Sequence, residues 1–268
     1  MSVLSVKKAF SILSMFSAAK THLGIAEIGR SLDLTNPTVH GLVKTLAEIG
    51  YLEQDPSTKK YHLSAKSYEL GHHFLGCSRV YQTGARPTHR LSQKTKLNAR
   101  LAIWDDDSVV VIIDIYPSAE KFQFNQIGPR LPSYCTSLGK AILAWFSPDE
   151  LAEYLERTPL IAYTQQTITD GKKLVKDLKK AQSQRYVIDQ EETTLGAVCV
   201  GAPIFDSNST PIAAVSISSG PEILQLQNFS ELVDELIQTA NDISFALGYN
   251  RTLTPIAVSY THLRAHET

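Results

Sequence analysis

Cysteine is scarce in this chain of 268 residues, and Cys77, Cys135 and Cys199 have no paired spacing. That excludes a disulfide framework and points to a reducing compartment, the cytoplasm. No apolar run approaches the roughly 18 to 20 residues of a membrane span; the longest strongly apolar stretch, Val109–Ile113, is strand-sized. The motifs G-x-S-x-G, H-E-x-x-H, G-x-G-x-x-G and C-x-x-C are missing, and Gly139-Lys140 lacks the upstream glycine loop of a phosphate cradle. Histidine is absent from 90–261. A cysteine-dependent hydrolase built on Cys199 would therefore need a histidine from another domain, and the chain reads as a non-enzyme. His73 and Cys77 stand four apart with no second pair nearby, so no metal or cofactor is expected.

What is present is ordinary in amount and uneven in placement. A 43% apolar composition is too high for disorder, and the length suits one or two domains. Residues 1–100 hold 14 Lys plus Arg against 6 Asp plus Glu, a net +8, whereas the remainder carries 12 against 21, a net −9. A basic front on an acidic body points to a polyanion at one end.

The front has its own pattern. Lys7 and Lys8 followed by the run Ala9–Ala19 could be taken for a secretory leader. Ser11, Ser14 and Ser17 recur through that run, however, and Ala9, Phe10, Leu13 and Phe16 fit one stripe of an amphipathic helix. Ile25, Ile28 and Leu32 mark a second short helix. After Asp33-Leu34-Thr35, Asn36 as cap and Pro37 in the first turn open a third helix, with Val39, Leu42, Val43, Leu46 and Ile49 inward and Gly50 as its stop. Strands at Tyr51–Gln54 and Lys60–Leu63 flank the turn cluster 55–59, which makes a winged helix-turn-helix. The outward residues of helix three are Thr38, Gly41, Lys44, Thr45 and Glu48, with His40 on the flank. With Asn36 at the helix start and Lys59 and Lys60 at the wing tip, they are the expected contacts to a double-stranded DNA operator. The competing use of the same fold is contact with another protein.

The runs 4–13 and 37–46 and Gly50-Tyr51-Leu52 resemble the DNA-binding domain of IclR-type bacterial transcriptional regulators. Pro37 stands where that family commonly has Ser, and Gly41 where it has Arg, so its operator preference does not carry over. The segment 63–71 resembles the family's exit into a connecting helix, over 65–83, where Leu70, Phe74, Cys77 and Tyr81 form a narrow stripe suited to a partner helix. A homodimer or tetramer on a two-fold DNA site is the implied assembly.

From 85 onward helices and strands alternate: a helix over Arg86–Leu97, strands over Ala99–Trp104 and Val109–Tyr116, and a weaker strand over Phe122–Ile127. Helices follow over Ser137–Phe146, Pro148–Arg157 and Gly171–Ser183. Strands at Val187–Ile188, Val198–Phe205 and Ile212–Ile217 precede a last helix, Phe229–Leu247. Hairpin turns between the strands describe an α+β domain on a mainly antiparallel sheet. The loop 128–136 runs into a helix whose first amides, near Thr136, Ser137 and Leu138, suit a carboxylate.

That loop, together with 186–192, 195–204 and 212–218, resembles the effector domain of the same family, and the resemblance covers about residues 3 to 250. It implies a GAF-like or PAS-like antiparallel-sheet effector domain. By it Ser137, Leu138, Asp189, Cys199, Ser216 and Ser218 face the effector, with Gln190 and Ser219 departing slightly from the usual pattern. Ser216 and Ser218 alternate on one strand and can donate to a carboxylate, while Asp189 accepts from a ligand hydroxyl. A small hydroxy-, keto- or sugar acid fits best. The expected organisation is a DNA-binding domain over 1–64, a linker helix over 65–83, an effector-binding domain over 84–250, and a non-native or disordered tail over 251–268. The expected function is that of a repressor or activator whose operator binding responds to the acid.

Overall fold

The computed structural model describes residues 2–117, 130–226 and 228–250. The chain divides into two compact units that meet between Cys77 and Ser78. Among the described residues, no helix is long and apolar enough to cross a membrane.

The N-terminal unit holds α1 (Leu4–Leu13), α2 (Ile25–Leu32) and α3 (Asn36–Glu48), then the antiparallel hairpin of β1 (Leu52–Gln54) and β2 (Tyr61–Leu63), then α4 (Ala65–Cys77). Asp33 closes α2 in the left-handed region at φ 51°. The cap of α3 is Thr35, one residue before the one expected. Thr35 is extended and its carbonyl accepts from Val39 N–H at 3.0 Å, while Asn36 is already helical. Gly50 at φ 84° ends the helix as expected, and Tyr51 N–H returns to Leu46 carbonyl at 2.8 Å.

Of the expected N-terminal stripe, Ala9, Leu13 and Phe16 pack against the core and Phe10 does not. The helix stops at Leu13, Ile12 is fully buried and Phe10 is 58% exposed. Ile12, Leu23, Ile28, Val39, Val43, Leu46, Leu52 and Tyr61 form the core. Ile49, expected inward, is half exposed because it sits at the helix end. Leu23 exchanges both backbone bonds with Tyr61 (2.9 and 2.8 Å), which fastens the wing to the segment before α2.

The C-terminal unit starts with α5 (Arg79–Thr95), so the linker helix expected over 65–83 is divided. Ser78 breaks it: this residue is extended, and its hydroxyl caps α5 by accepting from Tyr81 N–H at 3.3 Å. Helix α5 runs through Gly84 and Pro87. Gly84 is a packing residue, since a Cβ there would lie 2.4 Å from the Leu101 side chain.

Strands β3 (Asn98–Asp105), β4 (Ser108–Ile115), β5 (Arg130–Pro132), β6 (Val187–Gln190), β7 (Val198–Phe205) and β8 (Pro211–Ser219) form one antiparallel sheet in the order β5-β4-β3-β8-β7-β6. The strand expected at Phe122–Ile127 lies outside the described residues. On one face pack α5 and α9 (Phe229–Ala246); on the other lies α6 (Ser137–Leu143), with α8 (Gly171–Gln184) against it and against β6. Between β5 and α8, α7 (Pro148–Arg157) carries a full capping box between Ser147 and Glu150, and its Leu151 and Tyr154 join the α6 core.

Candidate functional site

Two regions gather the polar residues singled out above. On the N-terminal unit, Asn36, Thr38, His40, Gly41, Lys44 and Thr45 of α3 are all exposed, as are Lys59 and Lys60 on the wing. Thr45 donates its hydroxyl to Gly41 carbonyl at 3.0 Å, and Lys44 lies 3.8 Å from Glu48 in an exposed pair, a weak restraint that leaves the ammonium free to turn. The wing tip is tightly built. Asp55 accepts from Ser57 hydroxyl, Ser57 N–H and Thr58 N–H, and these bonds hold its carboxyl well below the usual range. The one acid in this turn is thus tied inward while Lys59, at φ 58°, and Lys60 face solvent.

Gly41 meets nothing within 4 Å of where a Cβ would stand. Gly41→Ala should therefore stabilise the N-terminal unit by about 0.5–1 kcal/mol through helix propensity alone. Urea unfolding checks this, and a destabilised variant would mean that the backbone there is strained.

The second region is a cavity of about 350 Å³ in the C-terminal unit, on the α6 face of the sheet. Strand register builds its floor. Asp189 pairs with Cys199 and Cys199 with Ser218, while two residues along Gly201 pairs with Ser216 and Ser216 with Arg100. Alternation turns all of these to one face. Helix α6 can lie close because Gly201 has no side chain; a Cβ there would stand 2.4 Å from Ser137 carbonyl oxygen. Thr136 caps the helix, accepting from Gly139 N–H at 3.2 Å and donating to Pro132 carbonyl at 2.8 Å.

Six of the seven expected effector residues, Thr136, Ser137, Leu138, Asp189, Cys199 and Ser216, line this one cavity. Ser218 does not. Its hydroxyl donates to Asn98 Oδ1 at 2.8 Å, and it lines an adjoining chamber of about 580 Å³. The adjoining chamber shares Arg100, Thr193, Thr194 and Cys199 with the first.

Burial sets the electrostatics. It pushes the Asp189 carboxyl up to about 7; the Glu192 N–H that donates to it at 2.9 Å opposes the shift and the Glu192 charge adds to it. Burial and then Asp189 push the Cys199 thiol up to about 12, so at neutral pH it is a protonated wall group and a poor nucleophile. Because Asp189 binds its proton more tightly folded than unfolded, stability falls as pH rises from about 4 to 7 and levels off above. Asp189→Asn, which keeps the acceptor for Glu192 N–H, should melt several degrees above the parent at pH 8 and level with it near pH 4. Equal melting at both pH values would place the ionised carboxylate in a solvated site.

Three participants went unforeseen. Arg100 lines the cavity and donates from Nε to Asp114 at 3.2 Å. Its signal was there to read: Asn98 and Arg100 alternate with apolar Ala99 and Leu101, a polar row on one face of a buried strand. Lys140, 1% exposed, reaches Asp177 (2.9 Å), Ile188 carbonyl (3.2 Å) and Glu192. Burial works against its charge, but the two facing carboxylates outweigh that and hold it above the ordinary lysine range. Glu192 anchors the segment that brings Thr193 and Thr194 over the cavity, and Thr164 and Thr167 hydroxyls bond its neighbouring carbonyls.

Comparison with known proteins identifies both units. Residues 5–56 match the IclR helix-turn-helix domain, and residues 72–245 match the bacterial transcriptional regulator IclR C-terminal domain. The HTH-type transcriptional regulator XynR of Escherichia coli (strain K12) is 34% identical over 250 residues, covering 92% of this chain and 98% of its own. The crystal structure of Thermotoga maritima IclR is 29% identical with a TM-score of 0.73, covering 91% of this chain and 99% of its own. An IclR homologue from Microbacterium hydrocarbonoxydans, complexed with 4-hydroxybenzoate, shares the fold at 24% identity and a TM-score of 0.77, covering 91% of this chain and 98% of its own. With both domain profiles matched along most of its length, the chain belongs to the IclR family of DNA-binding bacterial transcriptional regulators.

Proposed function

We propose that this regulator binds a double-stranded DNA operator in the cytoplasm as a homodimer or tetramer, and that a small organic acid in the cavity of the C-terminal unit modulates that binding without being turned over. The DNA-binding part is assigned to 1–64 and the effector-binding part to 84–250. Helix α3 enters the major groove with Thr38, His40, Gly41, Lys44 and Thr45, with Asn36 at its start, while Lys59 and Lys60 reach phosphate or the minor groove. In the cavity Ser216 donates to the acid's carboxylate beneath the first amides of α6 at Thr136, Ser137 and Leu138. Asp189 accepts from a ligand hydroxyl, Cys199 is wall, and Ser218 supports the adjoining chamber through Asn98.

The observation that carries the reading is the convergence of Asp189, Ser216 and the start of α6 on one cavity. The 4-hydroxybenzoate held by the Microbacterium homologue, an acid that also bears a hydroxyl, supports the class of ligand. For assembly, α4 has no buried residue, and its Tyr68, Leu70 and Phe74 are about half exposed or more, as a helix awaiting a partner would be. A coupling of about 1–3 kcal/mol between ligand and operator is enough for regulation.

A mobility-shift assay on the fragment upstream of the chain's own gene, with hydroxy-, keto- and sugar acids added, tests the reading. A specific shift that at least one acid alters is expected; no shift at low salt removes the proposal. Lys44→Ala and Lys59→Ala should each flatten the salt dependence of DNA affinity by about one phosphate contact, a slope change near 0.9. An unchanged slope in both would take these lysines out of the interface.

A further inference from the structure

We propose that Arg100 is the specificity-determining residue of the cavity, taking the carboxylate of a five- or six-carbon hydroxy acid whose far hydroxyls reach Asp189. The inference rests on the cavity being the effector site and adds the ligand's length and direction.

Four observations lead to it. First, the two opposite charges of the cavity stand at opposite ends. Asp189 is on β6 and Arg100 on β3, three strands away in the sheet. At about 4.8 Å per strand, with Arg100 two residues along from the row of Asp189, their backbones are roughly 16 Å apart. A two-carbon acid, with carboxylate and hydroxyl on neighbouring carbons, is too short to meet both; a chain of five or six carbons can.

Second, Arg100 is fixed as a receptor. Its Nε donates to Asp114, whose side chain is only 2% exposed and also accepts from Asn98 Nδ2 at 2.7 Å. Asp114 thereby orients the guanidinium from within the wall while the arginine itself remains part of the cavity lining. The guanidinium carries five N–H donors, so its bonds to Asp114 and to the Tyr116 hydroxyl leave others to present a planar cation to a second carboxylate.

Third, Arg100 is the direct cross-strand partner of Ser216, so cation and hydroxyl donor converge on one end of the ligand. Fourth, Arg100 also borders the adjoining chamber, which leaves room for a longer chain. The polarity follows: the acid end lies toward β3 and β8, and the hydroxyl end toward β6.

The test is isothermal titration of the full chain with sodium salts of straight-chain hydroxy acids of two to six carbons, and with the six-carbon alditol, which has the hydroxyls without the carboxylate. Arg100→Gln alone would strand Asp114. The pair Arg100→Gln/Asp114→Asn removes both charges together, and Arg100→Lys keeps the charge without the fork; melting curves confirm that each is folded. The parent should bind the five- or six-carbon acid at least about tenfold more tightly than the two-carbon acid and the alditol, and the double variant should lose about 100-fold for the acid, bringing the acid-to-alditol ratio near one. Arg100→Lys should fall in between. A parent that binds the two-carbon acid as tightly as the long ones, or a folded double variant that keeps the acid preference, overturns the proposal and leaves the cavity an acid site. A parent that binds no acid of any length overturns the effector reading itself.

Discussion

Gly139→Ala is expected to abolish folding of the C-terminal unit. An added Cβ would stand 2.2 Å from Ser133 Cα and 2.4 Å from its carbonyl oxygen, both backbone atoms. Neither partner can retreat. All seven residues of α6 are buried, and Ser133 is held by its hydroxyl bonds to Asp107 carbonyl (2.6 Å) and Tyr154 hydroxyl (2.9 Å). Overpacking against yielding side chains costs about 1–3 kcal/mol, and rigid backbone on both sides places this substitution at or beyond the upper end. Gly71→Ala, on an open stretch of α4, is the control. Circular dichroism should show the Gly139 variant without a cooperative C-terminal transition, whereas a variant melting within about two degrees of the parent would show that loop 133–136 can shift freely.

Lys140→Met should destabilise the C-terminal unit by about 3–5 kcal/mol, the usual result of stripping one partner from a buried ion pair. Methionine fills much of the space but leaves Glu192, with its side chain 5% exposed, without its cation, and Asp177 loses the same contact. Lys140→Met/Glu192→Gln should recover a good part of the loss, because the stranded charge does most of the damage. Denaturant unfolding decides the matter: a single variant within 1 kcal/mol of the parent would mean that Glu192 finds water or another donor. Since Glu192 anchors the segment bearing Thr193 and Thr194, the same variant should bind effector more weakly even at temperatures where it stays folded.

Much of this was legible before any coordinates. Strand β7 runs over the expected Val198–Phe205 and α7 over the expected Pro148–Arg157, because β-branched residues in one and a Ser-Pro-x-Glu cap in the other leave little choice. Of the six proposed effector residues that reach one cavity, Asp189, Cys199 and Ser216 do so through strand alternation, and Thr136, Ser137 and Leu138 as the cap and first turn of the helix laid over that face. The misses have a common cause. The helix expected from Arg86 starts at Arg79, and the part missed includes Gly84, whose bare backbone packs on Leu101 of β3. Lys140 looked like half of a failed phosphate loop; its carboxylate partners lie 37 and 52 residues away, and no local pattern announces them. Phe10 was expected inward and is 58% exposed while Ile12 is fully buried, a choice between two apolar neighbours that tertiary packing makes.

The bare contact of Gly84 on Leu101 governs how motion travels through the C-terminal unit. Leu101 adjoins Arg100 on β3 but points the opposite way, against α5, with no spare room between. Close-packed interiors pass small shifts on to their neighbours, so a displacement of the arginine's strand is felt at the helix packed on it. That helix begins two residues after the N-terminal unit ends, with only its cap Ser78 between, so the joint lies in the first element of the C-terminal unit along the chain from the DNA-reading half.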